Sequence, residues 1–249
     1  MEKLGSGDSA FSTLSNTAAE YRQTRGNPVP TLENKGLTIN YTKAGQPKDA
    51  ADTLCLLHCS TSSHGQWRLL WERLQDRYRV IAPDLLGYGE TSDWTGTDDG
   101  LIRAEGDLVR ALTADLDSYH LLGHSYGGAS ALRLALEEPY RLKSLTLIEP
   151  IAIFLLDPER DARPYETLRE IAEVYRSEVG GGNPDAGIKR YFDYWNGDGA
   201  FASAHPRTRD YARDTALKCY HEFDAIFDTV NKPAPLSDLT MPVHILRGA

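Results

Sequence analysis

A serine stands between two glycines at Gly123-His124-Ser125-Tyr126-Gly127. A serine hydroxyl is a poor nucleophile until a base takes its proton and a third group orients that base. The chemistry in question is attack on a carbonyl carbon, which also needs N–H donors for the oxygen that becomes negative. The rest of the chain must therefore supply an acid, a base and an oxyanion site.

Gly-x-Ser-x-Gly becomes informative between a strand and a helix, where a strained turn lifts the hydroxyl clear of the sheet. "YHLLGHS" reads as an apolar strand ahead of Ser125, and residues 126 to 138 read as a helix ended before Pro139. Gly127, Ala131 and Ala135 recur at i, i+4, i+8, a small-residue face that can lie close to the strand. The helix N-terminus points at Ser125, where its dipole favours developing negative charge.

The surrounding elements alternate strand and helix. "LTINYT" alternates apolar and polar residues, as a half-buried strand near a sheet edge does. Residues 53 to 59, 78 to 84 and 144 to 150 are apolar runs of the kind found in central parallel strands. Trp67, Leu70, Trp71 and Leu74 mark one amphipathic helix, and Leu101, Ala104, Leu108 and Leu112 another. Such alternation predicts a mostly parallel, doubly wound α/β sheet, with ligands bound beyond the carboxyl ends of its strands. Residues 151 to 237 carry three helical stripes instead, around Leu168 to Val179, Ile188 to Trp195 and Ala216 to Phe227. Strand character returns in "MPVHILRG". The expected division is a polar extension over 1–35, a core over 36–150 and 238–249, and an inserted helical cap over 151–237.

Four motifs in this order resemble the α/β-hydrolase family, over nearly the whole chain from about residue 37. They are "LLHCSTSSHGQW", "VIAPDLLGYGETS" with Pro83, Asp84, Gly87, Gly89 and Ser92, "GHSYGG", and "LTLIEP". "YFDYWNGDGAF" in the cap is similar to a subgroup of hydrolases of this family. The resemblance implies Ser125 as nucleophile, with the backbone N–H groups of Tyr126 and Ser60 as oxyanion donors. His58 and Trp195 are the expected substrate contacts, although His58 in the family is usually a packing and hydrogen-bonding residue. Epoxide hydrolases and dehalogenases resemble the chain overall but carry aspartate where Ser125 stands, and are set aside.

The chain departs from the family at Cys59, where a glycine is usual, which puts the second oxyanion donor in question. The bland reading of Cys59 is a small buried residue. A zinc site from Cys55, His58, Cys59 and His64 fits no standard spacing. The acid is either Glu149, a charge closing an apolar strand, or a residue beyond Ala249. Asp84 is read as a loop-shaping carboxylate. None of the seven histidines makes a convincing base. His244 alternates within a strand and reads as buried, and His124 should point away from Ser125. The family's histidine follows a further strand, so the chain is expected to be a fragment, inactive in its 249-residue form.

Composition sets the remaining bounds. Apolar residues make up 41% of the chain, enough for a sizeable core. A net charge of −9 argues against nucleic acid, which needs clustered positive charge. Three cysteines, no secretory leader and no apolar run of membrane length predict a cytoplasmic protein without a membrane partner. The expected function is hydrolysis of a small, partly apolar ester, thioester or C–C bond substrate, without metal or cofactor. The alternative is a non-catalytic ligand-binding protein on the same scaffold. Substrate identity and oligomeric state are not readable from the residues.

Overall fold

The computed structural model describes residues 30–47, 49–96, 100–227 and 235–248. Seven strands form one sheet: β1 (Thr31–Asn34), β2 (Leu37–Gly45), β3 (Thr53–Leu57), β4 (Arg79–Pro83), β5 (Tyr119–His124), β6 (Leu142–Ile148) and β7 (Val243–Leu246). Their order is β1-β2-β4-β3-β5-β6-β7. β1 and β2 are antiparallel, as are β2 and β4; the pairings from β4 to β7 are parallel.

Strand alternation divides the core into two layers. Cys55 and Leu57 of β3 and Ile81 of β4 face the larger layer. Leu56, Val80 and Ala82 face the smaller one, together with Trp67 and Trp71. The smaller layer is covered by α1 (Arg68–Leu74). The larger holds α2 (Leu101–Leu112) and α3 (Tyr126–Glu137). Helices on both faces of a mostly parallel sheet make this the doubly wound architecture expected from the apolar runs.

Between β6 and residue 227 the chain is mainly helical. It runs through α4 (Ala162–Gly180), α5 (Pro184–Asn196), α6 (Ala200–Ser203), α7 (Pro206–Asp214) and α8 (Ala216–Phe227). Tyr175, Tyr191 and Phe223 join α4, α5 and α8, with ring centroids 5.1 to 5.9 Å apart. The Tyr175 hydroxyl donates to the Ala216 carbonyl at 3.1 Å.

Four details differ from the sequence reading. Thr31–Asn34 pairs with β2, so the sheet begins inside the segment taken for an extension; residues 1–29 of that segment lie outside the described residues. β6 ends at Ile148, two residues early, because Glu149 and Pro150 turn away from the ladder. His244 is exposed, not buried, as are all four residues of β7, the last strand of the sheet among the described residues. α6 and α7 escaped notice because "PRTRDYARD" has no apolar stripe to read; Ala212 is the one residue of α7 that is buried.

Candidate active site

The strand order reverses at β3. β4 lies on one side of it, and the chain then crosses back to place β5 on the other. A crevice opens beyond the carboxyl ends of β3 and β5 at such a reversal. The loop after β3 carries Cys59 and Ser60, and the turn after β5 carries Ser125 and Tyr126. The topology thus brings these two segments together.

The turn after β5 is very tight. A side-chain carbon on Gly127 would sit 2.6 Å from the Leu57 carbonyl oxygen, and one on Gly123 2.8 Å from Gly128 Cα. Ser125 has φ 54° and ψ −117°, a region that favours glycine. Three backbone hydrogen bonds hold it there. Its N–H donates to Ile148 at 3.0 Å, and its carbonyl accepts from Ala129 and Ile151, each at 3.1 Å. Ser125 is therefore pinned to β6 as well as to α3.

Glu149 follows β6, the neighbour of β5, and also has a positive φ, 42°. Its N–H donates to the Leu246 carbonyl at 2.9 Å, and its carboxylate accepts from the Gly248 N–H at 3.0 Å. Ser125 and Glu149 line one cavity of about 1130 Å³, which also reaches Ser60 and Trp195. Trp195 is 47% exposed, so its ring forms part of an open wall. These four predicted residues are brought together.

His58 is not among them, and the expected substrate contact is corrected. The residue is wholly buried, with Nδ1 2.7 Å from the Cys59 carbonyl and Nε2 accepting from the Leu85 N–H at 3.0 Å. Both ring nitrogens are occupied by backbone, so His58 ties the β3 loop to the β4 loop. Burial pushes its pKa down to about 4, which keeps the ring neutral.

The departure at Cys59 has a simple resolution. The left-handed residue of this loop is Thr61, with φ 52°, and not Cys59. A side chain at position 59 therefore carries no backbone penalty. The Cys59 N–H donates to Gln66 Oε1 at 3.0 Å, which sets the course of the chain into Ser60. Cys59 is half-buried in the cavity wall, and burial pushes its thiol up to about 12. Tyr126 is the first residue of α3, so its N–H has no acceptor within the helix.

Asp84 shapes the loops around the site. It is fully buried, and Oδ1 lies 2.7 Å from both the N–H and Nδ1 of His64. Oδ2 accepts from Asn40 Nδ2 at 2.6 Å. Burial alone would raise its pKa, but the bond and charge of His64 outweigh that and hold it below the usual carboxylate range.

Two histidines reach the cavity, His124 and His205. His124 Nδ1 lies 3.0 Å from Gln66 Nε2, and burial holds its pKa at about 4. His205 caps α7, its Nδ1 accepting from the Arg207 N–H at 3.2 Å.

Two features escaped the sequence reading. On α8, Lys218 and Glu222 are 6% and 2% exposed, one turn apart and facing inward. Lys218 Nζ lies 2.7 Å from Glu105 and 3.3 Å from Glu222. The polar letters at 218 and 222 could have signalled this, since they interrupt the inner face of an otherwise apolar helix. The other feature is Tyr211. Its hydroxyl donates to the Ser62 carbonyl at 2.8 Å and accepts from the Gly89 N–H at 3.1 Å, which latches α7 onto the β3 and β4 loops. No helix among the described residues is long and apolar enough to cross a membrane.

A doubly wound sheet with a strained serine turn at its reversal point defines a class of protein, and comparison with known proteins agrees. The sequence profile of the alpha/beta hydrolase family matches residues 56–248, and the chain belongs to that family. A fluoroacetate dehalogenase from Burkholderia sp is 29% identical over 177 residues, covering 66% of this chain and 56% of that one. A 2-hydroxy-6-oxo-2,4-heptadienoate hydrolase from Pseudomonas putida is 32% identical over 108 residues, covering 42% and 39%. The crystal structure of an alpha/beta hydrolase from Sphaerobacter thermophilus superposes with a TM-score of 0.66 at 16% identity, covering 88% of this chain and 82% of that one. The chain thus spans about half or less of the length of these two curated relatives.

Proposed function

We propose that the protein is a serine hydrolase acting on a small, partly apolar ester, thioester or C–C bond substrate through an acyl-enzyme on Ser125. The observation that carries this reading is the Ser125 turn: a non-glycine residue at φ 54°, held by three backbone bonds at the wall of a large cavity. Strain of this kind costs about 1–3 kcal/mol and persists where the surrounding structure over-determines it. A nucleophile that must project from a sheet is a sufficient reason for it.

In this reading Ser125 Oγ bonds to the substrate carbonyl carbon as its proton passes to a base. The Tyr126 and Ser60 N–H groups take the developing oxyanion, helped by the dipole of α3. The base returns the proton to the leaving group, and water then releases the acyl group. Glu149 holds the base in its working tautomer. His124 and His205 are poor candidates for the base, because their Nδ1 atoms already face Gln66 and the Arg207 N–H. Trp195 and the apolar side chains of α4 and α5 form the substrate wall. Hydrolase relatives support hydrolysis as the reaction class.

Fluorophosphonate treatment of the full-length protein followed by peptide mass analysis tests the reading. An adduct on Ser125 is expected; an unmodified Ser125 in folded protein counts against it. A second reading is a ligand-binding protein without turnover on the same scaffold. Ester hydrolysis that disappears in Ser125→Ala would exclude that alternative.

A further inference from the structure

We propose that Glu222 is a specificity-determining residue, a neutral carboxylic acid closing an inner chamber that takes a hydroxyl- or keto-bearing acyl group. The proposal rests on the serine hydrolase reading, because the chamber lies on the oxyanion side of the site.

The chamber is small, about 20 Å³, and is lined by Ser60 and Tyr126, the two oxyanion residues, with Glu222 among apolar side chains. It shares Ser60, Tyr191 and Trp195 with the large cavity, so the two lie side by side against common residues. A volume of this size admits roughly one water-sized group. In the proposed binding mode an acyl chain whose carbonyl sits at Ser60 and Tyr126 extends into this chamber, with Glu222 in its wall.

Glu222 is 2% exposed, and neither carboxyl oxygen has a hydrogen-bond partner among the described residues. Lys218 Nζ lies 3.3 Å from Oε1. A buried carboxyl with an unmet oxygen beside a chamber has free hydrogen-bonding capacity for whatever enters.

Its neighbours decide its charge. Glu105, on α2, takes the nearer contact with Lys218, 2.7 Å, and also accepts from the Leu86 N–H at 3.1 Å. The Lys218 ammonium lies over the rings of Tyr126 and Tyr88, at 4.8 and 5.2 Å. Burial raises the Glu222 pKa and outweighs Lys218 and the Ser60 and Tyr88 hydroxyls, which favour its charged form; Cys219 and Cys59 add thiols whose pKa values burial raises. Tyr191 of α5 is neutral for the same reason. The buried set thus holds two carboxyls and one cation. Glu105 is the better supported as an anion, so the proton that avoids an uncompensated buried charge sits on Glu222. Burial raises the pKa of both carboxyls, and it is the two close contacts of Glu105 that leave the proton to Glu222.

A carboxylic acid offers one O–H donor and one carbonyl acceptor. A hydroxyl or keto oxygen pairs with it, and a bare methyl group leaves it unpaired. A site built to bond a substrate oxygen rejects the analogue that lacks it.

The test compares 4-nitrophenyl 3-hydroxybutyrate with 4-nitrophenyl butyrate, reading the ratio of kcat/KM in the full-length protein. The wild type is expected to favour the hydroxylated ester by about tenfold or more. Glu222→Gln, which keeps a donor and an acceptor, should retain most of that preference, and Glu222→Leu should lose or reverse it. Lys218 keeps Glu105 as partner in both variants, and thermal melts check that each is folded. An equal ratio in all three proteins overturns the proposal. If neither ester turns over, the hydrolase reading fails by itself. The same two esters titrated onto Ser125→Ala protein by NMR then read the preference as a ratio of Kd values. A ratio unchanged by Glu222→Leu overturns the inner-chamber assignment, and a ratio lost in Glu222→Leu upholds it.

Discussion

The Ser125 N–H donates to the carbonyl of Ile148, the residue immediately before Glu149. One hydrogen bond thus couples the turn that presents the serine to the strand end that presents the carboxylate. Both residues have positive φ, and both line the same cavity. Two strained backbones at the ends of adjacent parallel strands are an arrangement in which folding energy is spent on the placement of side chains.

Replacing Ser125 with glycine should relieve that strain. Ser125→Gly is expected to be more stable than Ser125→Ala by about 1 kcal/mol, the strain of roughly 1–3 kcal/mol less the entropy cost of glycine, about 0.5–1 kcal/mol. Urea unfolding of the two variants reads the difference. Equal stabilities would mean that the turn is not strained.

Gly127 touches the β3 strand through its bare Cα. Gly127→Ala drives a methyl group against the Leu57 and His58 carbonyls. A destabilisation of about 1–3 kcal/mol is expected from overpacking, together with weaker fluorophosphonate labelling as the turn moves. Ala131→Gly in the same helix should leave labelling unchanged.

His58 and His124 are both held neutral by burial, with pKa values lowered from 6.5 to about 4. The unfolded chain binds a proton on each near 6.5, so it carries more protons than the folded chain between roughly pH 4 and 6.5. Their contribution is fully present above 6.5 and is lost as the pH falls toward 4, roughly 3 kcal/mol for each residue. Chemical denaturation at pH 7, 6 and 5 should give a progressive fall in stability. His124→Gln should reduce the slope by close to one proton; an unaltered slope would contradict the assignment.

Tyr211→Phe removes only the hydroxyl that latches α7 to Ser62 and Gly89. Two backbone groups lose their partner, at a cost of about 1–3 kcal/mol. Hydrogen exchange should speed up at the Gly89 amide, with the β5 and β6 amides unaffected.

Lys218 is the buried cation between two carboxyls. Lys218→Met should cost about 3–5 kcal/mol, because it leaves Glu105 without its counter-charge. Adding Glu105→Gln should recover a good part of that loss. Additive effects in the double variant would show that the two residues do not act as a pair.

Apolar runs, helical stripes and small residues around Ser125 determined the architecture and the serine turn by themselves, because each signal lies within a dozen consecutive residues and reflects local burial or local backbone geometry. Glu149 stood out for a similar reason, because a charge at the end of an apolar strand is conspicuous; its part as the acid is a proposal. What lay between distant segments was decided by the tertiary structure. His58 looked like a substrate contact until the β3 and β4 loops closed on both its ring nitrogens. Cys59 looked like a misfit until the left-handed residue proved to be Thr61. Lys218 and Glu222 went unremarked in the Ala216 to Phe227 stripe, and the packing of α8 against Glu105 is what pairs them inside. A side chain's type and period report whether it prefers water. Which partner satisfies it when buried depends on segments more than 100 residues away, as in Glu105 with Lys218.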